Sequence, residues 1–364
     1  MLSNHKIQVT LDEITEISKT GLILYDDKGK MIASTIEPEA DQTALVIDFV
    51  HSMAESQMLG GYHFFKVIIE NETDYVLLAR ASTDEAYMVG RLSVCQIRNL
   101  VLANRELSDK NNLMQNILLG NMLVVDMYNK AKKLHIEQAK RQVYVIEVDG
   151  RKDTVLLETV KNLFSDRNKD FVTELDEQSI ILIKDAEDIE SEEDAAMLAR
   201  TIVDNLHTEA MVRVRVGYGN IVEKLPEIAR SYQEAKMALE VGHIFYVEDD
   251  TISYSRLGIG RLIYQLPMSL CEMFIKEIFG DRKFDLDEET LVTIQRFFEN
   301  NLNISETARQ LYIHRNTLVY RLERLQKIIG LDIRLFEDAM TFKIAMMVLA
   351  HMKYQNYEMT EKTE

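Results

Sequence analysis

The densest group of hydrogen-bonding and cationic side chains lies near the C-terminal end of the sequence. From Arg315 to Ile329, apolar residues recur at three- and four-residue spacing, which predicts a helix with one buried stripe. Asn on the opposite side can pair with adenine, Arg with guanine or phosphate, and Thr and Tyr with phosphate oxygens. The candidate DNA-binding residues on this side are Asn316, Tyr320, Arg324 and Lys327, with Thr317 and Arg321 at its edge.

A shorter helix is predicted just before this one, from about Ile304 to Leu311. Asn303 can cap it, and Glu306 can bond back to the cap as in a capping box. Ala308 is small where two helices would cross, and Ile313 in the connecting turn can be buried between them. The pattern predicts a helix-turn-helix.

The charge of this segment is opposite to that of the rest of the chain. Residues 309–334 contain six basic and two acidic residues, a net charge of +4, whereas the whole chain carries −18. An acidic protein repels DNA unless a local basic surface makes the contact. An ordinary amphipathic helix with a solvated charged face, or a helix pair that docks a protein partner, would show the same periodicity, so the pattern alone leaves these alternatives open.

A specific sequence signature favours the DNA-binding alternative. The run His314-Arg315-Asn316-Thr317, continued by Tyr320-Arg321-Leu322 and then Gly330-Leu331-Asp332, resembles the C-terminal helix-turn-helix of the PucR/CdaR family of bacterial transcription regulators. The resemblance adds His314 and Arg315 to the candidate DNA-binding residues. It implies double-stranded DNA as the partner and no cofactor. A homodimer or higher homo-oligomer is expected, because one recognition helix reads only half a site.

Length and composition predict a soluble protein of several domains. A chain of 364 residues is longer than a single hydrophobic core usually accommodates, so two or three domains are expected. No apolar run approaches the roughly 20 residues that span a bilayer. The first residues show no basic region followed by an apolar stretch, so a cytoplasmic location without membrane contact is expected. Changes of period place the domains at 1–85 (sensor), 86–121 (connecting or dimerisation helix), 122–250 (middle domain), 251–284 (linker helices) and 285–364 (helix-turn-helix bundle). The predicted fold class is multidomain, with two α/β domains and an all-α domain.

Residues 1–85 alternate strands and turns as a small α/β sensor domain. Strands are predicted at 21–25, 30–35, 63–69 and 75–81, with a helix at 41–58. A strand, a D-x-G turn and a second strand resemble the opening of PAS- or GAF-like sensors and of the diacid-recognition domain of CdaR-type proteins. A small-molecule effector, such as an organic acid, would need cationic donors, and the candidates are His63, Lys66 and Arg80. Residues 33–38 are not similar to the Gly-Ser-Gly-Asp-Arg-like segment of the diacid regulators, so a sugar diacid is not implied.

Residues 86–121 are predicted to form one long helix with a heptad seam. The seam residues are Ile97, Leu100, Asn104, Leu107, Asn111, Met114 and Leu118. Two such helices pairing in parallel as a coiled coil would place an Asn at a core position, which fixes register and favours a dimer. The alternative is a helix that lies on the sensor domain with Asn104 and Asn111 exposed.

Residues 142–248 alternate strand and helix in a β-α-β-β-α-β order that ends with a strand at 212–218, and a helix at 225–241 and a last strand at 244–247 are expected after it. This order predicts a ferredoxin-like or nucleotidyl-cyclase-like sheet. Together with Val216-Gly217-Tyr218-Gly219 and the helix after it, the order resembles the GGDEF-like middle domain of the CdaR family.

An enzyme related to the diguanylate cyclases is the competing hypothesis for this domain. Their turn needs glycines that admit a nucleotide and acids that bind magnesium, whereas this chain has Leu175-Asp-Glu-Gln-Ser179 at the hairpin. Gly217 and Gly219 lack the third glycine of a phosphate-binding loop. We therefore expect no catalytic residues, no metal site and no enzyme activity. The sequence has two cysteines, far apart, so we expect neither a disulfide framework nor a zinc site.

Overall fold

The alternating apolar residues between Leu22 and Arg80 fold into an antiparallel sheet in the computed structural model of the chain. The structure describes residues 4–38, 42–70, 72–81, 85–150, 154–164, 169–280 and 286–361. It divides into two units, Met1–Met114 with Asn129–His135, and Gln115–Tyr128 with Ile136–Glu364. The predicted domain boundaries remain predictions.

The first unit contains a five-stranded sheet in the order β2-β1-β5-β4-β3. Its elements are α1 (Asn4–Ser18), β1 (Leu22–Asp26), β2 (Met31–Ser34), α2 (Thr43–His51), β3 (Ser56–Leu59), β4 (Tyr62–Ile69), β5 (Glu72–Arg80) and most of α3 (Ala86–Leu118). One face packs against α1 and α3 through residues such as Ile7, Phe65 and Ile97. The other packs against α2 through Phe49 and Phe64. The strands predicted from alternation are confirmed, whereas α1 was not predicted.

The helix predicted for residues 41–58 was wrong beyond His51, because residues 56–59 form β3. Gly60 and Gly61 both adopt left-handed backbone angles, with φ of 53° and 79°. Two such residues form the tight turn that folds one strand back on the next, and β3 accordingly pairs with β4. The Gly-Gly pair is the sequence signal that identifies this hairpin.

The long helix α3 is confirmed, and its seam has two kinds of surroundings. Ile97 is buried with the sheet core of the first unit, and Met114 and Leu118 are also buried. The remaining seam residues are half-buried: Leu100, Asn104, Leu107 and Asn111. Gly90 lets the helix approach the sheet, since an added Cβ would lie 2.1 Å from the Phe65 ring. Pairing of two α3 helices remains a prediction.

The second unit contains the predicted ferredoxin-like sheet, extended by one strand to the order β10-β9-β6-β8-β7. Its elements are α4 (Val124–Lys133, shared with the first unit), β6 (Arg141–Val148), α5 (Thr154–Leu163), β7 (Phe171–Thr173), β8 (Ser179–Asp185), α6 (Glu192–Ala210), β9 (Val214–Tyr218), α7 (Ile228–Phe245) and β10 (Thr251–Ser253). Helices α5 and α6 pack on one face of the sheet.

The last strand was predicted at residues 244–247, and this placement was wrong. Ile244 and Phe245 complete α7, and Phe245 packs beside a small core formed by Ile263, Cys271 and Val348. The added strand is β10, which pairs parallel with β9. The apolar stripe of α7 therefore continues to the end of the helix.

The C-terminal part of the second unit is helical, as predicted. It contains α8 (Gly260–Tyr264), α9 (Met268–Phe279), α10 (Glu288–Glu299), α11 (Ile304–Gln310), α12 (Arg315–Ile329) and α13 (Phe336–Glu361). Phe297, Leu322 and Phe342 lie at the centre of its core. Through the part of the chain that the structure describes, no helix is both long and apolar enough to span a membrane.

Candidate nucleic-acid interface

The first helix of the predicted motif begins at a side-chain cap. The Asn303 carboxamide oxygen accepts hydrogen bonds from the backbone N–H groups of Ser305, at 3.0 Å, and Glu306, at 3.1 Å. Glu306 does not complete the predicted capping box, because its carboxylate pairs with Arg309, whose Nε lies 3.0 Å away. These bonds fix where α11 starts.

The turn between the helices ends at a second cap, His314. Its Nδ1 accepts a hydrogen bond from the Asn316 backbone N–H at 3.2 Å. Nδ1 therefore carries no proton in this arrangement, and in the neutral ring Nε2–H remains as a donor. His314 itself is exposed, so this donor belongs to the protein surface at the start of α12.

Helix α12 has the two faces that the sequence predicted. Its apolar stripe is buried, with exposed fractions of at most 3%: Leu318, Leu322, Leu325 and Ile329. We call the exposed set the reading face, and it consists of His314, Arg315, Asn316, Thr317, Tyr320, Arg324 and Lys327. The core positions one side of the helix and leaves the other accessible along its whole length.

Arg321 is the candidate that the structure places apart from the reading face. Its guanidinium pairs with the Glu289 carboxylate and donates a hydrogen bond to the Thr293 hydroxyl at 3.2 Å. Both partners lie on α10, and Thr293 is buried. Arg321 therefore connects the recognition helix to α10 in this structure, in place of the phosphate contact expected from sequence.

The acidic start of α10 lies close to the basic residues of α12. Asp287 caps α10 by accepting a hydrogen bond from the Thr290 N–H at 2.8 Å. The hydrogen bonds from Thr290 lower the pKa of Asp287, and the nearby charges of Arg324 and Arg321 lower it further. The field of Arg324 thus extends over this end of α10.

The Gly-Leu-Asp segment after α12 has a structural role. Asp332 binds Arg334 with both carboxylate oxygens, at 2.7 Å to Nε and 2.8 Å to Nη2, and this pairing lowers the pKa of Asp332. The Asp332 N–H donates to Asp338 in the first turn of α13 at 2.8 Å. Gly330 ends α12 with a φ of 84°. This segment sets the path from α12 to α13.

The structure does not bring the three predicted effector-binding cations together. The Lys66 ammonium donates to the Val50 carbonyl at 2.9 Å and to the Ser52 carbonyl at the end of α2. His63 packs edge-on against Tyr87 of α3, with ring centroids 5.6 Å apart. Arg80 pairs in register with Tyr62 and is exposed. The Lys66 ammonium is therefore occupied by carbonyl groups at the end of α2, whereas His63 lies on the opposite face of the sheet, against α3.

Two buried polar groups of the first unit were missed by sequence reasoning. Tyr62 and Gln42 are 1% and 5% exposed, and the Tyr62 hydroxyl and Gln42 Oε1 have no hydrogen-bond partner among the described residues. Tyr62 packs in the core beneath α2, and Gln42 precedes the first residue of that helix. An aromatic residue at a buried strand position carries no sequence signal that its hydroxyl is unsatisfied.

The hairpin of the middle domain holds its carboxylate within its own turn. Asp176 Oδ1 accepts hydrogen bonds from the Gln178 N–H at 3.0 Å and from the Ser179 N–H at 2.7 Å. Across the described residues, no group of three or more His, Cys, Asp and Glu could hold a metal ion. A polar groove of about 1040 Å³ lies at the same end of the sheet and includes Asp149, Arg213 and His243. His243 is already engaged by Glu147 at 2.8 Å and by Arg215 at 3.0 Å.

Gly217 and Gly219 serve helix packing. A Cβ at Gly217 would lie 2.5 Å from the Ala235 carbonyl oxygen, and one at Gly219 only 2.1 Å from the Ser231 carbonyl oxygen. Both carbonyls belong to α7, so the glycines let α7 approach β9 more closely than any side chain would allow. Their spacing therefore has a packing explanation.

Comparison with known proteins gives two domain matches. Residues 290–348 match the PucR C-terminal helix-turn-helix domain, and residues 120–241 match the GGDEF-like domain. The first match covers the whole helix-turn-helix described above, and the second covers most of the ferredoxin-like sheet.

Three curated relatives match parts of the chain. The chain is 28% identical over 172 residues to the purine catabolism regulatory protein of Bacillus subtilis (strain 168), covering 46% of this chain and 32% of the relative. It is 29% identical over 156 residues to the carbohydrate diacid regulator of Escherichia coli (strain K12), covering 42% and 40%. It is 30% identical over 134 residues to the DNA-binding transcriptional activator AdeR of Bacillus subtilis (strain 168), covering 33% and 30%.

The matches cover two fifths or less of each of these relatives' own length. Over residues 120–241 and 290–348 the chain is similar to the PucR/CdaR family of transcription regulators.

Proposed function

We propose that this protein is a transcription regulator that binds double-stranded DNA by inserting α12 into the major groove. The observation that carries the proposal is the reading face, whose seven polar or cationic residues are exposed while the four apolar residues of the stripe on the same helix are buried. Asn316 in the first turn is suited to pair with adenine, whereas Arg315, Arg324 and Lys327 supply positive charge toward phosphate or guanine. The names of the relatives support this assignment.

The charge available for phosphate contact is smaller than the sequence count. Arg309, Arg321 and Arg334 are each paired with a carboxylate of the same chain. In the described part of the chain, Arg315, Arg324 and Lys327 make no such ion pair. Each phosphate-directed cation contributes about −0.9 to the slope of log affinity against log salt.

We propose further that two copies act together in the cytoplasm. A single recognition helix reads half a site, and a second copy doubles the contacts. The half-buried Leu100, Asn104, Leu107 and Asn111 of α3 support a coiled coil as the means of pairing. Their spacing is that of a heptad seam.

We also propose that the first unit binds a small-molecule effector. The strand order β2-β1-β5-β4-β3 supports a PAS- or GAF-like sensor. The names of two relatives, which refer to purine catabolism and to carbohydrate diacids, support a small catabolic or transported molecule such as an organic acid. We place the effector beneath α2, where the Tyr62 hydroxyl and Gln42 Oε1 have no hydrogen-bond partner among the described residues.

The middle domain is proposed to be non-catalytic. Its hairpin lacks glycine, and the Asp176 carboxylate accepts hydrogen bonds within the turn. The space beside Gly217 and Gly219 is occupied by the backbone of α7. The competing function is a residual nucleotide cyclase. Formation of cyclic product or pyrophosphate during incubation with GTP or ATP and Mg²⁺ would establish that alternative.

The DNA-binding proposal is tested by the salt dependence of binding to a 30-base-pair duplex of random sequence. Replacing Arg315, Arg324 and Lys327 together by Gln should lower the magnitude of the salt slope by about 2.7 per protomer. A matched control replaces Arg200, Arg213 and Lys236, three exposed cations of the middle domain, and should leave the slope unchanged.

Two outcomes would contradict the proposal. Equal slopes for the two triple variants would remove α12 as the contact surface. If the parent protein does not bind DNA even at low salt, the alternative from the sequence analysis is favoured, in which the helix pair docks a protein partner.

A further inference from the structure

Tyr312, in the turn between α11 and α12, combines backbone strain with full exposure. Its φ is +55°, in the left-handed region, and its side chain is 96% exposed. Its backbone N–H donates to the Arg309 carbonyl oxygen at 3.2 Å, which closes the end of α11. The backbone path is thus that of a helix end at which glycine is the usual residue.

Tyrosine is a costly choice at such a position. Most residues with a Cβ are strained in the left-handed region, which Gly adopts freely and Asn and Asp tolerate. Leu302, in the preceding turn, has a φ of +62° but is half-buried against the helix-turn-helix core. Burial of Leu302 offsets its strain, whereas the exposed ring of Tyr312 gains no comparable contact.

The position of Tyr312 relates it to the reading face. It lies two residues before His314, the cap of α12, and four before Asn316. Ile313 between them is half-buried and packs against the core, which anchors this part of the turn. A phenol that projects from an anchored turn beside the start of a recognition helix can reach the sugar-phosphate backbone at the edge of the groove.

We propose that Tyr312 is a DNA-backbone contact, whose hydroxyl donates a hydrogen bond to a phosphate oxygen beside the groove that receives α12. The inference rests on the proposed function and adds to it a residue outside the reading face. A phenol is a neutral donor at pH 7, so the contact positions the protein without reading sequence and without releasing a counterion. The strain at Tyr312 is then retained because the contact requires this side chain at this place.

The test compares Tyr312→Phe and Tyr312→Asn with the parent, using the full chain and a 30-base-pair duplex of random sequence. Both variants should bind about tenfold more weakly or worse, as expected for the loss of one hydrogen bond to a charged group. Their salt slopes should equal that of the parent. Tyr312→Asn should have an unfolding midpoint equal to or above that of the parent, because Asn tolerates the left-handed region.

Met211 provides a matched control. It is also exposed and left-handed, with a φ of 54°, but it ends α6 of the middle domain. Met211→Asn should relieve the same kind of strain and leave DNA affinity unchanged.

The possible failures are distinguishable. Parent-like affinity of Tyr312→Phe would overturn the hydroxyl contact, and parent-like affinity of both variants would overturn any DNA contact and point to a protein partner for the exposed ring. Absence of binding by the parent itself would contradict the proposed function, and this inference with it.

Discussion

Arg321 shows how a single residue changes role between sequence and structure. Its spacing in the helix is that of a phosphate contact, yet its guanidinium is held by Glu289 and Thr293 of α10. An exposed ion pair of this kind contributes less than about 1 kcal/mol, so its main effect is on orientation. We infer that Arg321 positions α12 against α10.

This difference gives a prediction at the level of one residue. Arg324→Ala should lower the magnitude of the salt slope by about 0.9, because an unpaired cation is removed from the DNA contact. Arg321→Ala should leave the slope unchanged and weaken binding only through the position of the helix. Slopes are measured by fluorescence anisotropy between 50 and 200 mM salt.

Glu289→Gln is the control for the pair. If Arg321 acts through Glu289, this variant should reproduce part of the affinity loss of Arg321→Ala. A salt slope that falls by about 0.9 in Arg321→Ala would show instead that Arg321 leaves Glu289 to contact DNA.

At the level of elements, the contact between α7 and β9 depends on two glycines. Gly219→Ala would place a methyl group 2.1 Å from the Ser231 carbonyl oxygen, a backbone atom that cannot turn away. The required shift of α7 should cost about 1–3 kcal/mol of unfolding free energy, as overpacking does elsewhere. Urea unfolding of the full chain measures this loss.

Gly260→Ala is a matched control for that prediction. It begins α8, and its added Cβ would meet the Phe245 ring at 3.1 Å, a side chain that can adjust. It should cost much less. An equally stable Gly219→Ala variant would show that α7 and β9 do not need the close approach.

Elements whose signal is local were predictable from sequence. Helices α11 and α12 were placed within a residue of their observed ends, because Asn303, His314 and Gly330 mark those ends directly. The inner strands of both sheets followed from their apolar runs. β10 was missed because three residues, of which only Ile252 is strongly apolar, carry too little pattern.

Contacts between distant residues were not predictable. Arg321 and Glu289 are 32 positions apart, and nothing in either local pattern specifies the pair. The effector candidates were misplaced for the same reason. Lys66 was selected for its charge, whereas its hydrogen bond to the Val50 carbonyl depends on how α2 packs against the sheet. The helical periodicity predicted which side of α12 is buried, but it carries no information on the pairing of Arg321 with Glu289.

At the scale of the whole molecule, charge distribution limits how the protein can approach DNA. The chain carries −18, whereas the segment from Arg309 to Arg334 carries +4. Long-range repulsion by the acidic remainder is screened over about 10 Å at 0.1 M salt, so the basic segment must lead the contact. The basic segment belongs to the same folded unit as the GGDEF-like domain. Helix α13 connects the two parts, because it packs against α7, α8 and α9.

The most direct measurement is selection of fragmented genomic DNA from the source organism by the purified protein at about 0.15 M salt, followed by sequencing. We predict enrichment of a half-site that recurs with two-fold symmetry at a spacing of about one helical turn or a multiple of it. Asn316→Ala should retain DNA with relaxed base preference at one position of the half-site. Uniform retention of all fragments, or none even at low salt, would contradict sequence-specific reading by α12.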